Sequence, residues 1–237
     1  MDSARDRLIV ALDVPHAAEA QRIVAALGES ISTYKVGKQL FTAAGPAVVR
    51  ELIGAGRQVF LDLKFHDIPT TVAAAVRAAS ELGVSMVTVH ASGGSKMLKG
   101  AVEAAAAAKN PPVVLAVTVL TSFDEADLRE IGVASGAQEQ VLRLASLAQK
   151  AGCGGVVASA QEAKAIRREL GSGFAIVTPG VRPAGGSKDD QARVATPSEA
   201  MAAGATHIVV GRPITGARDP AAAARAILEE ISPAVRA

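Results

Sequence analysis

The chain has 237 residues, of which 49% are hydrophobic and 3% aromatic, and its formal net charge is +2 at pH 7. This length fits one large domain or two small ones, and the apolar fraction is enough for a sizeable core. The charged residues are interspersed, with no basic run, so the composition argues against a nucleic-acid partner and against a membrane-surface role.

Eight short β-rich runs alternate along the chain with eight Ala-rich segments of helical pattern. The runs predict strands at residues 7–14, 33–37, 58–64, 86–90, 113–120, 155–158, 175–178 and 207–210. The segments between and after them predict helices at residues 16–27, 40–53, 69–82, 95–108, 137–151, 160–170, 197–203 and 220–231. A short additional helix is predicted near residues 124–131, after the fifth strand.

Several helix boundaries carry signals of their own. Thr196, Pro197 and Glu199 combine an N-cap, a proline at the first helical position and a capping-box glutamate. Glycines stand where five of the helices should stop, namely at Gly54, Gly83, Gly152, Gly171 and Gly204.

Eight strand–helix units in a chain of this length predict an α/β fold in which the strands close into a (β/α)₈, or TIM, barrel. We expect residues 1–237 to form this single domain, because no linker, low-complexity segment or short repeat indicates a second one. The alternative is a doubly wound open sheet, which normally carries a glycine-rich nucleotide loop after its first strand. Here the first strand ends in Leu12-Asp13-Val14-Pro15, which favours the barrel.

The sequence also predicts the cellular environment. Cys153 is the single cysteine, so no intrachain disulfide is possible, and its apolar surroundings predict a core thiol rather than a nucleophile. The N-terminal residues lack the apolar core of a signal peptide, and no apolar run approaches the ~20 residues of a membrane helix. We therefore expect a soluble protein of the cytoplasm.

Polar residues collect at the carboxyl ends of the predicted strands, where barrels of this kind carry their chemistry. Asp62 and Lys64 end the third strand, and because strand side chains alternate, both belong on the same face. A structural ion pair at a strand end is the simpler interpretation of these two residues alone. A ring of such residues favours a functional site, and its other members are Asp13, Lys35, Thr121, Arg182, Gly211 and Arg212.

The last two strands indicate a phosphate site. Thr178-Pro179-Gly180-Val181-Arg182 follows the seventh strand, and Gly211-Arg212 follows the eighth. Glycine lets backbone N–H groups approach an anion, and arginine offers two parallel donors to phosphate oxygens. The polar, glycine-containing stretch 183–194 is typical of a mobile lid, although an exposed loop would have the same composition.

Other catalytic patterns are incomplete. The sequence has no phosphate-binding loop of the G-x-x-x-x-G-K-[ST] type and no dinucleotide fingerprint. The four histidines are scattered without metal-ligand spacing, so we expect no metal site and a structural or supporting role for most of them: His16, His66, His90 and His207.

The motifs together resemble the orotidine 5′-phosphate decarboxylase family over almost the whole chain. The central one is Asp62-Leu63-Lys64-Phe65-His66-Asp67-Ile68-Pro69, which repeats the family's D-x-K-x-x-D signature. The other matching segments, in order, are Ala11-Leu12-Asp13, Tyr34-Lys35-Val36-Gly37, Val119-Leu120-Thr121-Ser122, Thr178-Pro179-Gly180-Val181-Arg182 and Val209-Val210-Gly211-Arg212.

The resemblance implies a lyase that converts orotidine 5′-monophosphate to UMP and CO₂ without a cofactor, the last step of de novo pyrimidine nucleotide biosynthesis. It implies a charge network at the reacting carbon formed by Lys35, Asp62, Lys64 and Asp67, with Lys64 as the proton donor. It also implies a homodimer in which Asp67 and Thr71 reach into the neighbouring subunit's site.

The remaining site residues also follow from the resemblance. Asp13, Lys35 and Thr71 would hold the ribose hydroxyls, Thr121 would contact the pyrimidine edge, and Ile68 would add a further substrate contact. The phosphate would be held by Arg182, Gln191, Gly211 and Arg212.

Two alternatives remain at this point. Sugar-phosphate relatives with the same D-x-K-x-x-D motif, 3-keto-L-gulonate 6-phosphate decarboxylase and hexulose-6-phosphate synthase, resemble metal-dependent enzymes with an acidic residue on the second strand. Lys35 stands there in this chain, and a cation would repel Mg²⁺. A non-catalytic phosphosugar-binding barrel is the other alternative, but it would have no need of Asp62, Lys64 and Asp67 together.

Overall fold

The computed structural model describes residues 3–184 and 195–236, with side chains up to residue 232. Its eight strands are parallel and close into one barrel in chain order, with the last strand paired to the first. The strands are β1 Leu8–Ala11, β2 Thr33–Gly37, β3 Gln58–Phe65, β4 Met86–His90, β5 Val113–Val117, β6 Gly155–Val157, β7 Ala175–Thr178 and β8 His207–Val210. The predicted TIM-barrel fold is confirmed.

Helices surround the barrel in the predicted alternation. They are α1 Ala4–Arg7, α2 Ala17–Leu27, α3 Lys38–Ala44, α4 Ala47–Gly54, α5 Pro69–Glu81, α6 Gly94–Ala106, α7 Glu125–Glu130, α8 Ala137–Lys150, α9 Ala160–Leu170, α10 Pro197–Ala202, α11 Arg212–Thr215 and α12 Pro220–Arg236. None of these helices is long and apolar enough to cross a membrane.

The predicted helix at 40–53 is wrong in one respect, because it is two helices, α3 and α4. Gly45 ends α3 in a left-handed conformation, with φ 64°, and its N–H donates to the Phe41 carbonyl at 2.7 Å. Pro46 follows and has no N–H with which to continue the helical ladder. The short helices α1 and α11 were not predicted, since four residues give too little periodicity to detect.

Three predicted strands are longer than the observed ones. β1 ends at Ala11, β5 at Val117 and β6 at Val157, whereas the β-rich runs predict strands through 14, 120 and 158. The apolar residues beyond each strand are still buried, as Leu12 and Val119 illustrate. Burial in the loops at the mouth therefore produces the same sequence signal as a strand.

Apolar side chains fill the inside of the barrel and the layer between strands and helices. The inner cluster contains Ile9, Ala11, Phe60, Leu115, Val117, Val157, Val177 and Val209. Burial of a side chain of Val, Leu or Phe size contributes roughly 1.5–3 kcal/mol, so this plug is a large part of what keeps the barrel closed. Along β3 the inward positions pass from Phe60 in the plug to Asp62 above it.

Candidate active site

A cavity of about 500 Å³ opens at the carboxyl ends of the strands. Its floor is the top of the apolar plug, including Phe60, Val117 and Val157. Its walls contain the polar residues that the sequence places at the strand ends, namely Asp13, Lys35, Asp62, Lys64, Thr121, Arg182, Gly211 and Arg212. The volume is in the range that small-molecule sites usually have.

Four side chains on one wall form a row of alternating charge. The Lys35 ammonium lies 2.7 Å from Asp13 Oδ1 and 3.7 Å from Asp62 Oδ2. The Lys64 ammonium lies 2.8 Å from Asp62 Oδ1 and 2.7 Å from Oδ2. The Asp62 carboxylate therefore lies between two ammonium groups.

Burial makes these charges depend on one another. The side chains of Lys35 and Asp62 are each 11% exposed, and that of Lys64 is 25% exposed. Burial by itself raises the pKa of Asp62, but Lys64, Lys35 and the Thr88 hydroxyl outweigh it and hold that pKa below its ordinary value of 3.8. Asp62 is thus a carboxylate at neutral pH.

An irregularity in β3 places Asp62 and Lys64 on the same wall. The β3–β4 register runs from Leu61 opposite Val87 to Phe65 opposite Val89, so three residues of β3 face the single residue Thr88. Lys64 has φ 53°, and it is the only non-glycine residue with positive φ among those described. Such a bulge breaks the ladder and redirects a side chain next to an active site.

Two residues that support this wall were not predicted as functional. Thr88 hydrogen-bonds both to Asp62 and to the Lys64 backbone, although in sequence it is simply a β-branched residue within a strand. At Gly37 an added Cβ would lie 2.7 Å from Asp13 Oδ1 and 3.0 Å from Lys35 Nζ. Only glycine leaves that space, and the match of Tyr34-Lys35-Val36-Gly37 to a family motif was the one signal available.

The opposite wall comes from the loops after β5, β7 and β8. Gly180 turns the chain after β7 with φ 73°, and Arg182 and Arg212 line the cavity. Val181 pairs with Ala195, so the chain on either side of residues 185–194 is held together. Gln191 and most of the predicted lid lie outside the described residues.

Asp67, Ile68 and Thr71 are not among the residues that line this cavity. The Asp67 carboxylate accepts a hydrogen bond from the Ile68 N–H at 2.6 Å, and Ile68 is 63% exposed. Helix α5 starts at Pro69 with Ile68 as its N-cap, so Asp67 does not cap the helix. Asp67 also lies before the first turn of α5, so helical spacing does not relate its side chain to that of Thr71.

The histidines and the cysteine lie outside the row of charges. The rings of His66 and His90 are 5.2 Å apart between centroids, close to the end of β4. Burial lowers the pKa of His90 to about 4, and nearby His66, Lys38 and Lys64 act in the same direction. Cys153 is buried, which raises the pKa of its thiol to about 12 and fits a core residue rather than a nucleophile.

Comparison with known proteins identifies the family. Residues 6–227 match the model of the "Orotidine 5'-phosphate decarboxylase / HUMPS family". The chain belongs to this family. The family resemblance inferred from the sequence motifs is therefore confirmed.

Relatives at high identity belong to the decarboxylase branch. The chain is 58% identical to the orotidine 5′-phosphate decarboxylase of Halorhodospira halophila, over 96% of this chain and 97% of that protein. It is 55% identical to the enzyme of the same name from Moorella thermoacetica, over 96% and 93% of the two chains. The crystal structure of orotidine 5′-phosphate decarboxylase from Lactobacillus acidophilus superposes with a TM-score of 0.85 at 42% identity, covering 95% of this chain and 99% of that one.

Proposed function

We propose that this protein decarboxylates orotidine 5′-monophosphate to UMP and CO₂. The observation that carries the proposal is the Lys64 ammonium, held against both oxygens of Asp62 at the edge of a largely apolar cavity floor. The family to which the chain belongs includes this activity by name, and the relatives described above are named for it.

The chemistry requires a positioned cation. When the bond from C6 of the orotate ring to the carboxyl carbon breaks, CO₂ leaves and the electron pair stays on C6. That pair lies in an sp² orbital outside the ring's conjugation, so charge fixed in a poorly hydrated site has to stabilise it. The Lys64 ammonium provides that charge and then transfers a proton to C6, which gives UMP and a neutral amine that solvent protonates again.

Asp62 keeps Lys64 ready for this task. The Asp62 carboxylate accepts hydrogen bonds from the Lys64 ammonium on both oxygens, at 2.8 and 2.7 Å, and so holds that cation in place. Lys35 forms ion pairs with both Asp62 and Asp13, which fixes the carboxylate before the substrate arrives. The charges therefore need little reorganisation at the moment of reaction.

The remaining cavity residues divide by position. Asp13, two residues beyond β1, and Lys35, within β2, would hold the ribose hydroxyls, and Thr121 would contact the pyrimidine edge. Arg182, Gly211 and Arg212 on the opposite wall would hold the phosphate, together with Gln191. Binding of that remote group can be used to stabilise the transition state, so it serves turnover as well as affinity.

The magnesium-dependent sugar-phosphate alternative is disfavoured by the position of Lys35. Its ammonium lies between the carboxylates of Asp13 and Asp62, which are the groups that would otherwise bind a divalent ion. A metal ion there would have to displace this cation or approach it closely, and either costs free energy. The relatives at 50–58% identity also carry the decarboxylase name.

The proposal includes a homodimer of the cytoplasm. Asp67 and Thr71 lie away from the cavity of their own chain, and the neighbouring Ile68 is an exposed apolar side chain. We assign all three to the site of a partner subunit, where Asp67 would complete the charge network beside Lys64.

The first experiment is an absorbance assay with purified protein and orotidine 5′-monophosphate in excess EDTA. We expect loss of the orotate absorption with stoichiometric UMP, because no step needs a metal. If turnover instead requires Mg²⁺ and a keto-sugar phosphate, the sugar-phosphate branch is correct.

The shared site has its own test, in which inactive Lys64→Ala and Asp67→Ala subunits are mixed and allowed to exchange. Each mixed dimer would hold one site with both defects and one intact site. Random exchange should thus restore roughly a quarter of the wild-type activity. Mixing without any recovery, while exchange is demonstrated by mass, would place Asp67 in its own chain's site.

A further inference from the structure

We propose that Thr88, a residue of β4 that is not predicted to touch the substrate, positions both catalytic groups of β3 through its single hydroxyl. This inference rests on the proposed function, since it assigns a role toward Asp62 and Lys64 in that reaction. Thr88 is fully buried and does not line the cavity, so any effect on the reaction has to pass through these two residues.

The Thr88 hydroxyl donates one hydrogen bond and accepts another. It donates to Asp62 Oδ1 at 3.0 Å, and it accepts the backbone N–H of Lys64 at 2.8 Å. A hydroxyl has one proton to donate and lone pairs to accept, so both bonds form at once without competition. One oxygen atom thus links the carboxylate of Asp62 to the backbone that carries the Lys64 ammonium.

The bulge explains why a side chain is needed here. In a regular parallel ladder the N–H of Lys64 would donate to a carbonyl of the neighbouring strand. Here three residues of β3 lie opposite Thr88, and Lys64 has the positive φ of 53°. The Thr88 hydroxyl replaces the missing ladder acceptor, and without it a partly buried N–H would lack a partner in the protein.

The same hydroxyl also fixes the orientation of Asp62. Its Oδ1 accepts hydrogen bonds from the Thr88 hydroxyl and the Lys64 ammonium. Its Oδ2 accepts a second hydrogen bond from Lys64 and forms an ion pair with Lys35. Loss of the Thr88 donor would leave the carboxylate held only by two flexible lysine side chains. The strained turn at Lys64 would also lose its anchor, so that ammonium and carboxylate would both sample positions away from the reacting carbon.

Two variants of Thr88 distinguish positioning by the hydroxyl from packing of the side chain. Thr88→Val keeps the branched shape and removes the hydroxyl, whereas Thr88→Ser keeps the hydroxyl and removes the methyl group. Thr118→Val is the matched control, because Thr118 is also buried and its hydroxyl donates to the Val157 carbonyl at 3.0 Å. Thr118 does not line the cavity.

We expect Thr88→Val to lower kcat by about 10- to 100-fold, the scale of losing a hydrogen bond to a charged group. KM and the Kd for UMP, measured by calorimetry, should stay within about threefold, because the remote phosphate contacts are intact. Thr88→Ser should recover kcat to within about threefold of wild type. Thr118→Val should leave kcat and KM unchanged at a comparable cost in Tm.

Two outcomes would overturn the inference. A kcat for Thr88→Val equal to that of Thr118→Val would show that the hydroxyl does not position the catalytic groups. If Thr88→Val fails to fold, Thr88→Ala replaces it and is compared with Thr88→Ser, which differs only by the hydroxyl. If neither hydroxyl-free variant folds while Thr118→Val does, the hydroxyl serves folding rather than positioning. A wild-type protein without any turnover would refute the proposed function instead.

Discussion

The two walls of the cavity are built in different ways. On the β1–β4 side, buried charges are bonded to one another, and Lys35 and Asp62 are each only 11% exposed. On the β7–β8 side, glycine-containing loops carry Arg182 and Arg212, and Arg212 is exposed. The first wall is thus held by ion pairs within the protein, whereas the second presents arginine side chains from loops at the mouth of the cavity. This division fits chemistry on one side and substrate binding on the other.

The largest effect should come from removing the central cation of the first wall. Lys64→Ala should lower kcat by at least about 10³-fold, because one group supplies both the stabilising charge and the proton. A steady-state assay with orotidine 5′-monophosphate measures this loss. The affinity for UMP should change far less, since the phosphate contacts that we propose are on the other wall.

A matched control for this variant is Lys150→Ala, which removes an exposed lysine at the end of α8, away from the cavity. It should behave as wild type. Near-normal turnover in Lys64→Ala would exclude Lys64 as the proton donor. The assignment of the chemistry to the first wall would then be wrong.

The second wall should show a smaller loss of a different kind. Arg212→Ala should lower kcat/KM by about 2–4 kcal/mol, the scale of a lost charge-assisted contact. Phosphite dianion added with the phosphate-free nucleoside should restore part of the rate in wild type, and it should restore less in the variant. Arg218→Ala, which removes an exposed arginine that does not line the cavity, is the control.

If the nucleoside reacts equally well with and without phosphite, binding of the remote group does not contribute to turnover. The two walls would then act independently of each other, and Arg212 would serve affinity alone.

The space left by glycine in the first wall predicts a third, smaller effect. Gly37→Ala places a Cβ 2.7 Å from Asp13 Oδ1, so the flexible ends of Asp13 and Lys35 have to move. Overpacking of this size costs about 1–3 kcal/mol, and here we expect the loss in kcat/KM rather than in Tm. Gly54→Ala, which has no atom within 4 Å of the added Cβ, should have no effect on kcat/KM. Equal activity of the two variants would show that the Asp13–Lys35 pair is dispensable.

Sequence periodicity was sufficient for the barrel, because each strand and each of the longer helices carries its own local signal. Four strands, β2, β4, β7 and β8, have the predicted ends. The residues of the site were predictable for a related reason, since charges such as Asp62 and Lys64 are conspicuous in an apolar strand. Their arrangement was not predictable: the register shift between β3 and β4 depends on pairing between distant segments.

Supporting residues were missed on the same physical grounds. Thr88 is an ordinary strand residue in sequence, and its role exists only because the bulge brings the Lys64 N–H to it. Gly37 matters through the atoms of Asp13 and Lys35 above it. The break at Gly45 and Pro46 was visible in the sequence, but the apolar helical pattern across residues 40–53 obscured it.

The smallest predicted effect concerns His90, which lies beside the first wall and is neutral at physiological pH. Its pKa is lowered to about 4 by burial and by neighbouring cations, so the unfolded chain takes up a proton near pH 6.5 while the folded protein does not. Stability is therefore complete above pH 6.5 and falls as the pH drops toward 4. The contribution of Asp62, with a pKa below 3.8, is lost only at lower pH.

Since His90 is partly exposed, we expect the free energy of unfolding to fall by only about 1 kcal/mol between pH 7.5 and 5, measured by urea unfolding. His90→Asn should flatten this dependence, whereas His16→Asn, which leaves the His66–His90 pair in place, should not. An unchanged slope in His90→Asn would show that His90 does not carry this pH dependence.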